Sequence, residues 1–203
     1  MFRDDPLLFK PGAWYLYTGF GWNLIALAMQ EAAGIPFETY IKDHVLVPLH
    51  MQHTFPDMRD SMLRKAVFYS RNRKGLRPAF PVDNYYKLAA GGYLSTSDDI
   101  AKLGKAYLQG NFIPETIAAP FLTAQEAAGA STYYGIGWEV SFDHKNRPFY
   151  GHTGNGVGGY AFFRIYPAQQ MVFSILVNVT APGIDKEIRI ITDRIIDAAA
   201  GKK

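Results

Sequence analysis

Cysteine is absent from the 203-residue sequence, which excludes disulfides, thiolate nucleophiles and cysteine-bound metal sites. Long apolar runs are absent as well, because no stretch of about 18 apolar residues occurs, so we expect no membrane-spanning segment. No secretory leader, internal repeat or low-complexity stretch is visible in the sequence. The lack of cysteine leaves the cellular compartment open.

Charge of one sign is scarce too, with a formal net charge of only +3. The densest basic cluster consists of Arg71, Arg73, Lys74 and Arg77, which we interpret as a solvated loop. A nucleic-acid surface needs a basic stripe within a recognisable binding module. Because neither is found, we expect no nucleic-acid partner.

Metal and nucleotide motifs are lacking. His44, His50 and His53 lie close together, but they form no H-E-x-x-H and have no carboxylate at a ligand-like spacing, so we interpret them as surface histidines. The phosphate-binding pattern G-x-x-x-x-G-K-[ST] does not occur either. The expected cofactor and metal content is therefore none.

What is present is an ordinary globular composition, 48% hydrophobic and 15% aromatic, enough for one domain with a sizeable core. Apolar residues recur at helical spacing from Trp22 to Ala33, with Gly34 as the stop. Residues 37–45 predict a second, short helix, and residues 48–81 predict irregular structure. Residues 95–99 supply small hydroxyl and acidic side chains that begin a helix running to Gly110.

Strands are predicted after residue 133, over 135–142, 148–152, 159–166 and 171–178. The last two flank a hairpin turn at 167–170, and the apolar run 171–177 predicts a central strand. Arg164 alternates with apolar neighbours, which suggests a wetter face at that point. A final helix carries a stripe of Ile184, Ile188, Ile191 and Ile195. The chain is therefore predicted to be α+β, with a mainly helical region at 1–132 followed by antiparallel strands and a C-terminal helix at 133–203.

The first segment with chemical potential is the aromatic stretch before the first helix. Tyr17 lies at the junction between a Pro-Gly turn and that helix, from which its hydroxyl can project into a cleft and exchange protons. The alternative interpretation is an aromatic core cluster, because buried tyrosines with a bonded hydroxyl are common.

The second segment is GHTGNGVGG, residues 151–159. Glycine allows close approach by a ligand or another backbone, and a strand edge of this kind can offer backbone N–H groups to an oxyanion. His152 adds a group that titrates near physiological pH. The alternative is a glycine-rich bend with an incidental histidine, and composition alone does not decide between the two.

Two serines, Ser95 and Ser97, precede a helix, and we interpret both as capping residues rather than nucleophiles. The nucleophile pattern G-x-S-x-G does not occur in the chain.

Taken in order, several segments resemble the serine β-lactamase and penicillin-binding-protein family, which includes class C β-lactamases, D-alanyl-D-alanine carboxypeptidases and related esterases. The likeness is nearest to the mitochondrial-type branch and its bacterial relatives, and it covers roughly residues 5–180. The segments are FKPGAWYLYTGFGWNLIALAMQEAAGIPFETYI, VPLHMQHT, VDNYYKLAAGGYLSTSDDIAKLGKAYLQG, YGIGWEV and HTGNGVGG. The resemblance implies a β-lactamase/transpeptidase-like fold.

The resemblance also implies site residues. Tyr17 matches the tyrosine that moves protons during acylation or deacylation, and His152 stands where a K-T-G triplet has lysine. Asn155 follows that triplet, and its backbone N–H is implied to be an oxyanion donor. Implied substrate-binding positions are Gly19, Thr153, Gly154 and Gly156. Gly19 replaces an asparagine frequent in the β-lactamase branch, so a peptidase or esterase is favoured over a β-lactamase.

The family's nucleophile motif, S-x-x-K on a helix well upstream of the tyrosine, does not occur in this chain. At Ser61, which comes nearest, Lys65 is one place too far. We therefore expect this to be the C-terminal part of a serine hydrolase, without its nucleophile helix and N-terminal strands, and inactive alone. The expected partners are a peptide or ester substrate and either an N-terminal segment or another copy that completes the sheet.

The alternative function is a non-catalytic peptide-binding or assembly module, suggested by the missing S-x-x-K. The family resemblance favours a periplasmic or extracellular location.

Overall fold

The structure is a computed structural model that describes residues 4–58, 65–181 and 183–201. Its α-helices are α1 (Gly19–Ala33), α2 (Phe37–Ile41), α3 (Ser97–Gln109), α4 (Glu115–Phe121) and α5 (Ile184–Ala200). Helix α2 continues into a π-helical turn, Lys42–Leu46, and a 3-10 helix covers Tyr85–Ala90. No helix within the described ranges combines the length and apolarity needed to cross a bilayer.

The strands are β1 (Phe55–Pro56), β2 (Tyr69–Asn72), β3 (Gly75–Pro78), β4 (Tyr93–Leu94), β5 (Glu126–Ala127), β6 (Ala130–Ser131), β7 (Glu139–Phe142), β8 (Pro148–Gly156), β9 (Gly159–Tyr166), β10 (Met171–Val177) and β11 (Val179–Thr180). The main sheet has the antiparallel order β10-β9-β8-β7. All of its strands follow residue 133, as does α5. The division of the chain at 132 stays a prediction.

Local capping chemistry explains where the two longer N-terminal helices begin and end. Thr18 accepts a hydrogen bond from the Phe20 N–H at the start of α1, and Gly34 ends that helix in the left-handed conformation. At α3 the capping side chain is Thr96, and Gly110 provides the same left-handed stop. A hydroxyl at the first position satisfies a free backbone donor, and glycine tolerates positive φ. Both predicted helices are confirmed.

Strand β10 occupies one edge of the described sheet, so the prediction of a central strand is wrong for this part of the chain. Its apolar composition has a different cause, because both faces of the strand are covered. Phe173 belongs to the core under α5, while Val172 lies against α3 at Gly104. A Cβ at Gly104 would approach Val172 Cγ1 to 2.4 Å, so the two elements meet at a glycine.

The main core lies between the sheet and α5. It contains Phe149, Phe162, Tyr166 and Phe173 from the strands and Ile188 and Ile196 from the helix. The buried row of α5 thus follows a spacing of four, with Thr192 between the two isoleucines. The predicted stripe was partly wrong, because Ile191 and Ile195 are exposed. Thr192 tolerates burial because its hydroxyl donates to the Arg189 carbonyl.

Arg164 corrects a second prediction. Its alternation with apolar neighbours suggested a wetter face, yet the residue is only 6% exposed. The guanidinium lies 3.7 Å from the centre of the Phe149 ring and 4.8 Å from that of Phe162. Sequence alternation identified the two faces of the strand, but not that α5 covers the face of Arg164 and α3 the other.

Residues 48–81 contain more regular structure than predicted. Strand β1 pairs with β4, and β2 and β3 form a hairpin whose first strand also pairs in parallel with β11. The predicted basic loop lies on the β2–β3 hairpin and is exposed. Ser61 lies outside the described residues.

Asp99 connects the two helix-flanking segments of the N-terminal half. Its side chain is completely buried, and its carboxylate accepts hydrogen bonds from the His53 N–H at 2.7 Å, Thr54 Oγ1 at 3.0 Å and Lys102 Nζ at 2.8 Å. Burial acts to raise the pKa of Asp99, but these bonds outweigh it and hold the pKa below its ordinary value. The loop at 50–54 is thereby fixed to the first turn of α3.

We expect Asp99→Asn to lower the free energy of unfolding by about 3 kcal/mol at pH 7, because it breaks a buried, charged hydrogen-bond network. The matched change Asp98→Asn, at a side chain 78% exposed on the same turn, should cost less than about 1 kcal/mol. Urea unfolding of both variants and the unchanged chain measures the difference.

The pH dependence of that difference follows from the lowered pKa. The contribution of Asp99 is fully present above the unfolded-state pKa of about 3.9 and is lost as the pH falls through the still lower folded-state value. The gap between wild type and Asp99→Asn should therefore shrink below about pH 4. A gap that stays constant down to pH 2 contradicts the assignment.

Candidate active site

Tyr17 and His152, the two predicted catalytic residues, lie on opposite walls of one groove. Tyr17 sits in extended backbone directly before α1 and is 47% exposed. Its ring centre is 5.9 Å from that of His152 and 5.7 Å from that of Tyr134. The structure therefore brings together two residues that are 135 positions apart in the chain.

Both nitrogens of His152 are engaged. Nδ1 lies 2.7 Å from the Thr153 carbonyl oxygen, and Nε2 lies 2.9 Å from the Tyr134 hydroxyl. Because a carbonyl only accepts, Nδ1 carries the proton in the neutral ring, and Nε2 then accepts from Tyr134. The imidazole is therefore held in one orientation, with its ring tilted by 46° to the ring of Tyr17.

Tyr134 is held as a neutral phenol. Burial raises the pKa of Tyr134 well above its ordinary value, and the neighbouring Tyr17, Tyr15 and Glu139 raise it further, while a hydrogen bond with Trp22 acts in the opposite direction. A phenol that keeps its proton is a donor to His152 rather than a base. Tyr134 therefore acts as a fixed hydrogen-bond donor in this groove.

Glu139 is the second polar residue that sequence reasoning missed, and it bonds Thr153, the neighbour of His152 in β8. Its Oε1 accepts from the Thr153 backbone N–H at 3.0 Å and from Thr153 Oγ1 at 2.6 Å. The predicted substrate-binding hydroxyl of Thr153 is thus already donated, and only its lone pairs remain as acceptors. Both Tyr134 and Glu139 belong to the segment YGIGWEV, which carried the family resemblance but gave no indication of which side chains turn inward.

The outer edge of β8 is partly open. Strand β7 pairs only with residues 148–151 of β8, so within the described chain no strand pairs with its outer edge at 152–156. Backbone groups of an antiparallel strand alternate between its two neighbours. Since the Thr153 N–H points to β7, the Asn155 N–H two residues on points to the same open side. That orientation is the one an oxyanion donor needs.

The predicted glycine positions lie around this edge. Gly154 and Gly156 are on β8, and a Cβ at Gly156 would meet no atom within 4 Å. Gly19 is the first residue of α1, and a Cβ there would lie 3.3 Å from the Ala90 Cβ. An asparagine at position 19 would therefore crowd the 3-10 helix, which gives a local reason for glycine.

The side chain that caps α3 is that of Thr96, so the interpretation of Ser95 and Ser97 as capping residues is wrong. Ser95 Oγ lies 2.7 Å from Thr54 Oγ1, and Ser97 is the first residue of α3. Over residues 4–58, 65–181 and 183–201, no three histidine or acidic side chains converge as metal ligands.

Comparison with known sequences identifies relatives over most of the chain. The sequence model of the family described as Beta-lactamase matches residues 1–196. The human mitochondrial serine beta-lactamase-like protein LACTB is 29% identical over 91% of this chain and 39% of its own length. Penicillin-binding protein 4 of Amycolatopsis lactamdurans is 23% identical over 80% of this chain and 46% of its own length.

Solved structures share the fold. The D-amino acid amidase of Ochrobactrum anthropi SV3 superposes with a TM-score of 0.81 at 16% identity, over 96% of this chain and 61% of that one. A penicillin-binding protein of Bacillus halodurans gives a TM-score of 0.79 at 22% identity, over 93% and 59%. The predicted α+β, β-lactamase/transpeptidase-like fold is confirmed, and the chain spans about two fifths of the human relative's length.

Two glycines of β8 give a matched test of this architecture. A Cβ at Gly151 would lie 2.0 Å from the Phe163 carbonyl oxygen, so Gly151→Ala should disrupt the β8–β9 pairing and lower the free energy of unfolding by about 3 kcal/mol. Gly156→Ala, at an open position, should change it by less than about 0.5 kcal/mol. Urea unfolding followed by circular dichroism measures both, and equal costs would contradict the strand geometry.

Proposed function

The chain belongs to the beta-lactamase family, and on that premise we propose that it forms the C-terminal part of a serine hydrolase that cleaves amide or ester bonds through an acyl-enzyme. The observation that carries the proposal is that the ring centres of Tyr17 and His152 lie 5.9 Å apart, beside the open edge of β8. A phenol, an imidazole and an outward-pointing backbone N–H then line one groove, which is the equipment for acyl transfer.

Each group has a proposed role. A serine hydroxyl attacks the substrate carbonyl, and the Tyr17 phenol accepts the serine proton while it donates its own to the leaving amine or alcohol, whose bond to the carbonyl carbon breaks. The Asn155 N–H stabilises the negative oxygen that forms on the carbonyl carbon. His152 forms the wall of the groove opposite Tyr17 and is held there by Tyr134 and the Thr153 carbonyl. Gly154, Gly156 and Gly19 leave room for the substrate.

The preferred substrates are proposed to be peptides or esters rather than β-lactams. Gly19 has no side-chain amide with which to bind a substrate amide, and His152 replaces the lysine of the K-T-G triplet. The shorter imidazole, held by Tyr134, is less able to reach a substrate carboxylate than a lysine ammonium would be.

The nucleophile is proposed to come from outside this chain, because no serine here is followed by lysine three positions on. A surface for such a segment is present before and along α1. Large apolar side chains are exposed there, namely Trp14, Leu16, Phe20, Leu24 and Leu27. Phe20, Leu24 and Leu27 form one stripe of the helix, and apolar patches of this kind mark contact surfaces.

The free edge of β10 in the described sheet offers a second place for the same partner, because an unpaired strand is a template for a further one. We propose that an N-terminal segment of a longer protein, or another copy of the chain, completes the sheet.

The missing S-x-x-K equally favours one alternative function, a non-catalytic module that binds a peptide or a partner strand.

We expect the 203-residue chain to show no labelling by a fluorophosphonate probe and no hydrolysis of p-nitrophenyl acetate above background, because it supplies no activated serine. A chimera that places the S-x-x-K-bearing segment of a family member before residue 1 should gain both properties. Labelling is read by intact-protein mass spectrometry.

The matched control for the chimera replaces the serine of its S-x-x-K by alanine, which should remove labelling without unfolding the protein. A folded chimera that never forms an acyl-enzyme would refute the hydrolase proposal.

In the active chimera, Tyr17→Phe should lower kcat for the ester by about 10²- to 10⁴-fold, the range for loss of a proton-transfer group. Tyr86→Phe removes the same hydroxyl at an exposed position and should leave kcat within about two-fold of the parent. Steady-state kinetics measure both variants. Unchanged turnover in Tyr17→Phe would refute the proton-transfer role of Tyr17.

A further inference from the structure

A cavity of about 320 Å³ lies on the α5 side of the sheet, on the opposite sheet face from His152. The pairing establishes this, because His152 lies beside Phe163 whereas Gly151 lies beside Arg164, and neighbouring residues of a strand point to opposite faces. Residues lining the cavity include Glu139, Ser141, His144, Phe149, Arg164 and Arg189. The cavity therefore stands apart from the proposed catalytic groove.

Arg164 is a buried cation in the wall of this cavity. It is 6% exposed, and it takes part in none of the ion pairs formed by the described residues. Its one hydrogen bond there runs from Nη1 to the Tyr166 hydroxyl at 3.5 Å, and its buried Nε has no partner. A buried charge is costly unless an opposite charge and hydrogen bonds satisfy it.

The nearby carboxylates are committed to other groups. Glu139 Oε1 accepts two hydrogen bonds from Thr153. Asp143 accepts from Arg147 Nε at 2.6 Å, and Asp193 accepts from the same guanidinium and pairs with His144. Asp143 and Asp193 are therefore paired with other cations, whereas Glu139 is bonded through Oε1 to the uncharged Thr153 and forms no ion pair with Arg164 among the described residues.

Arg189, which also lines the cavity, adds a second positive charge. It is about half exposed, and its ion pair with Asp185 is long, at 4.0 Å. The Phe149 and Phe162 rings lie over the guanidinium of Arg164 at 3.7 and 4.8 Å. Stacking of this kind leaves the in-plane N–H donors available at the edge of the group.

We propose that this cavity binds a carboxylate group, with Arg164 as its anchor and Arg189 as the second cation. A planar guanidinium with free in-plane donors matches a carboxylate in a two-bond arrangement. The carboxylate is supplied either by a small free acid or by an aspartate or glutamate side chain of a polypeptide segment lying on this face. Both sources present the same carboxylate group to Arg164, and the experiment distinguishes them.

The test follows the Arg164 Nε–H signal of the ¹⁵N-labelled chain by NMR. Sodium acetate is titrated against sodium chloride at equal ionic strength, and acetyl-Leu-Glu-Leu-amide is titrated against its glutamine analogue. We expect a saturable downfield proton shift of this signal with acetate, with the glutamate peptide, or with both, and none with chloride or the glutamine peptide. A response to acetate shows that a free acid suffices, and a response to the glutamate peptide alone identifies the polypeptide source.

Variants supply the matched control. Arg164→Met keeps an apolar stem between the rings and should weaken binding at least about 10-fold, as loss of a charged hydrogen-bond donor does; for the variants the titration follows the Arg189 Nε–H signal, which belongs to the same cavity. Arg194→Met removes the same charge from an exposed position on α5 and should leave the affinity unchanged. If Arg164→Met does not fold, the wild-type titration decides alone. The absence of a saturable Arg164 shift with either carboxylate probe overturns the proposal.

Discussion

The close pairing of β8 with β9 is the constraint on which the rest of the site depends. Gly151 lies so near the Phe163 carbonyl that no side chain fits between the strands. This contact fixes the register, and the register assigns every following residue of β8 to a face or an edge. The His152 side chain is turned to the sheet face that α3 covers, and the Thr153 side chain to the face that α5 covers. The Asn155 N–H points to the open edge. A one-residue slip would exchange these roles.

The helices cover the two faces of this sheet to different extents, and both proposals depend on the parts that they leave exposed or unpaired. On one face α5 buries a row of aromatic side chains, and Arg164 is buried there without an ion pair among the described residues. On the other face α3 packs so closely that its contact residue is Gly104. Helix α1, by contrast, keeps the stripe of Phe20, Leu24 and Leu27 exposed. Exposed apolar surface beside the groove and a buried cation behind it both indicate groups that the described residues do not supply.

Sequence reasoning succeeded where a local rule determines structure. The capped helices that end at Gly34 and Gly110, and the hairpin of β9 and β10, depend on residues within a few positions of one another. It also placed Tyr17 and His152 in one groove, although only through the family resemblance. It failed where the outcome depends on distant packing. The burial of Arg164 requires α5, and the edge position of β10 depends on which strands are near it.

Tyr134 and Glu139 show the same limit at the level of the site. Their segment has no regular period, because Tyr133 and Gly137 adopt positive φ and turn the chain twice within five residues. Periodicity therefore assigns no direction to their side chains. Only the folded chain shows that one bonds His152 and the other Thr153.

The hydrogen bonds of His152 bear on how the proposed chemistry divides among the groove residues. In the neutral ring, Nδ1–H is donated to the Thr153 carbonyl and Nε2 is occupied by Tyr134, whose raised pKa keeps its own proton in place. The imidazole then has no free nitrogen with which to take a proton from a nucleophile. Tyr17 is half exposed and stands beside this saturated pair. We infer that proton transfer runs through the Tyr17 hydroxyl, while His152, held by its two hydrogen bonds, shapes the groove beside it.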